Sequence, residues 1–133
     1  MFDWLANPNR FNRITKKLQP FILFIAVITL ISGLYFGLYD SPKDYQQGDA
    51  VRIMYVHVPS AWLATFLYFS LAISCVFYLV WKHPLADLVS SSIAPIGALF
   101  SALTLVTGSL WGKPMWVKWW VWDARLTSML VLF

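Results

Sequence analysis

The chain has 133 residues, 59% hydrophobic and 12% charged, with no glutamate. Soluble domains carry about 25% charged residues, so this composition excludes an ordinary water-soluble fold and points to a membrane domain. The formal net charge of +4 comes largely from an N-terminal basic cluster. In a membrane protein that cluster reports topology and contact with acidic lipid, and no nucleic-acid partner is expected.

Residues 1–18 carry Arg10, Arg13, Lys16 and Lys17. Residues 19–39 then contain no charge, and about 20 apolar residues span the roughly 30 Å hydrocarbon core as a helix. A cleavable signal peptide has an apolar core of only about 7–15 residues. This stretch is longer and ends in Tyr35, Phe36 and Tyr39, which suit an aromatic belt, so a retained first span is expected. A polar loop follows over 40–58, with Asp40, Lys43, Asp44, Asp49 and Arg52.

A second uncharged span covers 60–81, bounded by Pro59 and by Lys82, His83 and Pro84, with Trp62 and Trp81 as interfacial anchors. It holds the one cysteine, Cys75, which excludes an intrachain disulfide and any CxxC or CxxCH motif. A third span, 88–110, is rich in small and hydroxyl residues. Its Gly97 and Ser101 stand four apart, the spacing that lets two helices approach closely, and Pro95 bends this span or marks its first turn. Residues 126–133 would rise only about 12 Å as a helix, short of a crossing. The expectation is an all-α integral membrane protein, one domain over 1–133, with three transmembrane helices and the start of a truncated fourth. Four basic residues precede the first span, against two offset by three aspartates in the loop after it. That balance predicts a cytoplasmic N-terminus and an extracytoplasmic segment over 111–125.

That segment holds Trp111, Trp116, Trp119, Trp120 and Trp122, five of the eight tryptophans. Trp116, Trp119, Trp120 and Asp123 are spaced at three, four and seven, so a helix would put them on one face. Pro114 suits its opening turn, and a short amphipathic helix in the interface plane is expected. Anchoring at headgroup depth would explain one or two tryptophans. Five of them, interleaved with Lys113, Lys118, Asp123 and Arg125, suit a planar ligand that carries carboxylates. His57 lies on the same side, at the end of the first loop. Neutral imidazole is a common ligand for haem iron, although a lone histidine near a membrane surface is also an ordinary interfacial residue. His83 falls in the opposite turn and has no assigned role. No His/Cys/Asp/Glu cluster at metal spacing, phosphate loop or hydrolytic triad is visible, and the spans carry no charge for an ion path, so no enzymatic activity is expected.

The run from Trp111-Gly112-Lys113-Pro114-Met115-Trp116 through Trp119-Trp120-Val121-Trp122-Asp123 to Ser128 resembles the WWD signature of haem-handling membrane proteins. Its surroundings resemble the haem exporter protein C family of the cytochrome c maturation system. The supporting stretches are Asp44-Tyr45-Gln46-Gln47-Gly48, residues 54–62 around His57, Ala94-Pro95-Ile96-Gly97-Ala98 and Leu105-Val106-Thr107-Gly108-Ser109. The similarity covers about residue 44 to the end. It implies a six-span protein of the bacterial inner membrane, with a mitochondrial inner membrane as the lesser alternative. Its WWD loop would lie between spans three and four and face the periplasm. Family members hold haem b there with two loop histidines and pass it to a membrane-anchored periplasmic haem chaperone. An ATP-binding-cassette (ABC) transporter complex and a small membrane subunit take part.

Carried over by position, His57 is the first axial ligand to the haem iron. Trp111, Trp116, Trp119, Trp120, Trp122 and Asp123 form the platform for haem and chaperone. Charge and spacing add Lys113, Lys118 and Arg125 as contacts for the propionates. Two departures stand out: Val117 replaces a second glycine found in many members, and the second ligand histidine would lie beyond Phe133. The alternative reading is a transporter permease subunit whose tryptophan loop is only an interfacial anchor.

Overall fold

The computed structural model describes residues 8–133. Its elements are α1 (Pro8–Leu34), which runs into a π-helical turn (Tyr35–Asp40), then α2 (Val51–Trp81), α3 (Pro84–Trp116) and a short α4 (Ala124–Leu132). Three helical stretches are long and apolar enough to cross a membrane: Arg10–Asp40, Val51–Trp81 and Pro84–Trp116. The protein is therefore an all-helical membrane protein, as the uncharged stretches predict. Each helix outruns its apolar stretch. Apolarity marks only what the hydrocarbon demands, whereas intrahelical hydrogen bonding continues to satisfy the backbone beyond that zone.

The chain divides into two compact units, one ending at Asp40 and one comprising Ser41–Phe133. In the first, the hydroxyls of Thr29 and Ser32 donate to the carbonyls of Ile25 and Ile28, both at 2.8 Å, so neither is left unpaired in an apolar helix. The π-helical turn stacks Tyr35 on Tyr39 with ring centroids 5.6 Å apart.

The second unit is built on a hairpin of α2 and α3. Lys82 adopts a left-handed conformation (φ 52°) and donates its N–H to Tyr78 O at 2.8 Å. Pro84 opens α3, where its missing N–H costs nothing. With two residues between them, α2 and α3 run antiparallel, which brings the start of α2 and the end of α3 together. Their seam is made of small side chains: Ser60 and Ala64 on α2, with Thr104, Gly108 and Gly112 on α3, are buried. Ala64, 2% exposed, is the one buried hydrophobic residue among those described. Gly97 belongs to the same contact, since a Cβ there would lie 3.7 Å from Leu67 Cβ. The small-residue spacing anticipated at Gly97 and Ser101 thus continues at three- and four-residue steps, through Thr104, Gly108 and Gly112, towards the end of α3 that carries the tryptophans. The large apolar residues, such as Phe66, Leu79, Leu99 and Val106, point outward.

Candidate functional site at the α2–α3 end

The loop before α2 is folded by its own polar groups. Asp44 Oδ1 accepts from the backbone N–H of Gln46 (2.9 Å) and Gln47 (2.8 Å), and Gly48 supplies the positive φ (57°) that closes an Asp44–Gly48 bridge. Lys43 pairs with Asp49 at 2.8 Å, and its hydrogen bond is the main cause that lowers the Asp49 pKa below the usual carboxylate value. Arg52 donates to Ser41 O at 3.0 Å. So shaped, the loop presents Gln47, whose Oε1 accepts from the indole N–H of Trp111 at 3.0 Å.

His57 is not in the loop. It lies in the second turn of α2, because the helix begins at Val51 and continues through Pro59. Its Nδ1 is 2.9 Å from the Thr107 hydroxyl on α3. Gly108, the next residue, lets the ring come close, since a Cβ there would be 3.2 Å from His57 Cε1.

The tryptophan run is not a single loop or helix either. Trp111 to Trp116 form the last turns of α3, and Pro114 lies inside that helix. The helix stops at Val117, whose φ of 61° is left-handed, and residues 117–123 are non-helical. An in-plane helix carrying Trp116, Trp119, Trp120 and Asp123 on one face therefore does not form. Pro114 has no N–H for the Leu110 carbonyl, which already weakens the turn before this stop. Asp123 instead caps α4: its Oδ1 accepts from Leu126 N at 2.8 Å, and its Oδ2 pairs with Arg125 Nη2 at 3.0 Å. The Leu126 N–H, followed by Arg125, holds its carboxyl below the usual range.

One cleft of about 190 Å³ gathers His57 with Met54 from α2, Gly108, Trp111 and Trp116 from α3, and Asp123, Arg125 and Leu126 at the start of α4. Of the residues expected at the site, His57, Trp111, Trp116, Asp123 and Arg125 thus meet. Trp119, Trp120 and Trp122 do not line it. Trp120 and Trp122 pair edge-to-face at 5.6 Å, and Lys113 lies 5.6 Å over the Trp119 ring while donating to Val117 O at 3.4 Å. Lys118 is exposed. The sequence assigns no site role to Thr107, Met54 or Gln47, although each lies in a stretch that carries the family resemblance. Thr107 and Gln47 reach their partners across 50 and 64 residues of chain, which no local pattern encodes.

The cleft is smaller than the roughly 300–1,000 Å³ that encloses a drug-sized ligand, so a larger planar ring could only be presented at its open mouth. Chemically, it offers one imidazole, edge-to-face indoles (Trp111 and Trp116, 5.2 Å apart) and one guanidinium.

A sequence model of the family described as "Heme exporter protein C" matches residues 1–133. Proteins named "Heme exporter protein C" are 52% identical over 129 residues in Bradyrhizobium diazoefficiens and 51% identical over 136 residues in Haemophilus influenzae. The alignments cover 97% and 100% of this chain but 49% and 55% of those proteins. A cytochrome c biosynthesis ccmC-like mitochondrial protein of Marchantia polymorpha is 56% identical over 101 residues, 76% of this chain and 44% of that protein. The chain spans about half the length of the curated relatives it matches.

Proposed function

The chain belongs to the Heme exporter protein C family, and on that premise we propose that it binds haem b and presents it for c-type cytochrome assembly. The observation that carries this reading is the cleft that joins His57 to Trp111 and Trp116 at one end of the α2–α3 hairpin. His57 is the iron ligand. The indoles of Trp111 and Trp116 meet the porphyrin edge, and Trp119, Trp120 and Trp122 extend an apolar face beside it for haem and for a periplasmic haem chaperone.

Arg125 and the exposed Lys118 are the cations for the propionates, and Lys113 joins them by giving up its bond to Val117 O. Asp123 acts on this surface through the α4 cap and by orienting Arg125. In this reading the N-terminus is cytoplasmic and the cleft faces the periplasm of a bacterial inner membrane. ABC-transporter subunits and a small membrane subunit complete the complex, and the protein presents its ligand without catalytic turnover.

The test is to purify the full-length protein with haem and to compare His57→Ala with the parent. Loss of bound haem and a shifted Soret band are expected, and an unchanged haem content and spectrum would remove His57 as ligand. Replacing Trp119, Trp120 and Trp122 with leucine is expected to block haem loading of the chaperone. Normal loading would favour a permease subunit in which these residues only anchor.

A further inference from the structure

The contact between His57 and α3 contains more than proximity. Thr107 Oγ1 lies 2.6 Å from Leu103 O and 3.3 Å from Thr104 O. Carbonyl oxygens only accept, so the single hydroxyl proton is committed to that pair, and the shorter distance assigns it to Leu103. What the hydroxyl presents to His57 Nδ1 at 2.9 Å is therefore a lone pair. The proton in that hydrogen bond must come from the imidazole. In the neutral ring, Nδ1 then carries the hydrogen and Nε2 carries the free lone pair. The Thr104 backbone also lies within hydrogen-bond reach of the ring, and the ring lines the cleft with Trp111 and Trp116.

The seat is shaped as well as polar. Gly108 faces Cε1, the carbon between the two nitrogens, and a Cβ there, at 3.2 Å, would require the ring to give by a few tenths of an ångström. Two consecutive residues of α3 thus fix both the rotation of the imidazole and the nitrogen that bears its proton. An unconstrained histidine in water favours the opposite tautomer, with the proton on Nε2. In that form Nε2 has no free lone pair for a metal.

We propose that Thr107 is the positioning residue for His57: its hydroxyl accepts the Nδ1 proton and so leaves Nε2 unprotonated, with its lone pair free for iron. Ligand histidines generally hold their second ring nitrogen in this way, and loss of such a partner typically costs 10–100-fold in metal affinity. The proposal rests on the reading of His57 as haem ligand, but its central claim concerns the haem-free protein and can be read there.

The experiment uses the full-length protein in micelles, labelled with ¹⁵N-histidine and free of haem, with the His57 signals identified by their loss in His57→Ala. In the parent, Nδ1 is expected at the shift of a protonated nitrogen and Nε2 at that of an unprotonated one. Thr107→Val keeps the shape and removes the hydroxyl. It is expected to move the pattern towards the Nε2–H form and to weaken haem binding by about tenfold or more, while Thr107→Ser restores both. Thr107→Ala removes the same hydroxyl with less bulk and gives the same reading if the valine variant unfolds. Parent nitrogen shifts and parent haem affinity in Thr107→Val or Thr107→Ala would overturn the proposal. If His57→Ala binds haem unchanged, the ligand reading fails, and the nitrogen shifts still decide whether Thr107 sets the tautomer.

Discussion

The tryptophan run divides at Val117 into two halves that differ in how they are held. Trp111 and Trp116 continue α3, pack edge-to-face at 5.2 Å, and share the cleft with His57. Trp111 is also tied to Gln47 in the loop before α2. Beyond the left-handed residue, Trp119 and Trp122 sit on non-helical backbone and are 56% and 75% exposed. Trp120 Nε1 is buried with no hydrogen-bond partner. One residue type therefore has two mechanical roles. The first half belongs to a hydrogen-bonded frame that ties α3 to the loop before α2. In the second half Trp119 and Trp122 offer exposed apolar surface, while Trp120 is partly buried between them.

That contrast breaks most visibly on truncation. Trp111→Ala is expected to cost about 3 kcal/mol of stability, the lower end for deleting a large packed aromatic. Trp122→Ala should stay within about 0.5 kcal/mol, as surface substitutions do. Thermal unfolding of the two variants in the same detergent checks the difference, and equal losses would erase the distinction between the halves. A smaller effect isolates the strap. Gln47→Ala leaves the Trp111 N–H without its acceptor and should cost about 1 kcal/mol, with a shift in Trp111 fluorescence. No change in either would mean that the loop merely lies near α3.

How much of this was legible in the sequence follows from what each signal measures. Uncharged length located all three spanning helices, because the hydrocarbon core tolerates little else. It misjudged their ends: His57 was expected in a loop and Trp111 to Trp116 in a separate segment, yet both are helical. Polarity does not stop a helix at the edge of the membrane. The spacing of Trp116, Trp119, Trp120 and Asp123 suggested one helical face, but periodicity cannot register the left-handed stop at Val117. The seat of His57 needed the hairpin itself, since Thr107 becomes its neighbour only when α3 folds back along α2.

Val117 sharpens the comparison, because it forms the hinge between the halves. A β-branched side chain at φ 61° is strained by roughly 1–2 kcal/mol, and glycine is the usual residue at such a helix end. Val117→Gly is expected to relieve this, with a net gain of about 1 kcal/mol after the larger entropy loss of glycine on folding. A lower unfolding temperature in the glycine variant would show instead that the valine side chain makes a contact worth more than its backbone cost.

The smallest expected effect concerns the far boundary of the second half, where Asp123 closes the segment by capping α4. Its carboxylate accepts from Leu126 N and from Arg125, both of which favour the ionised form, so its folded pKa lies below the unfolded value. A depressed carboxylate stabilises the fold above its unfolded pKa and loses that contribution as pH falls through the folded value. At neutral pH the cap is fully formed, and acidification should release the start of α4 while the α2–α3 seam, built of small uncharged residues, stays closed. The Leu126 amide proton, hydrogen-bonded to Oδ1, reports this directly by NMR. Its shift should titrate with a midpoint below the ordinary aspartate value of about 3.9, and Asp123→Asn should flatten the curve. A midpoint at or above that value, or an unaltered titration in the asparagine variant, would show that another group governs the start of α4. The pairing of Arg125 with Asp123 would then no longer constrain how the second half of the tryptophan run is anchored.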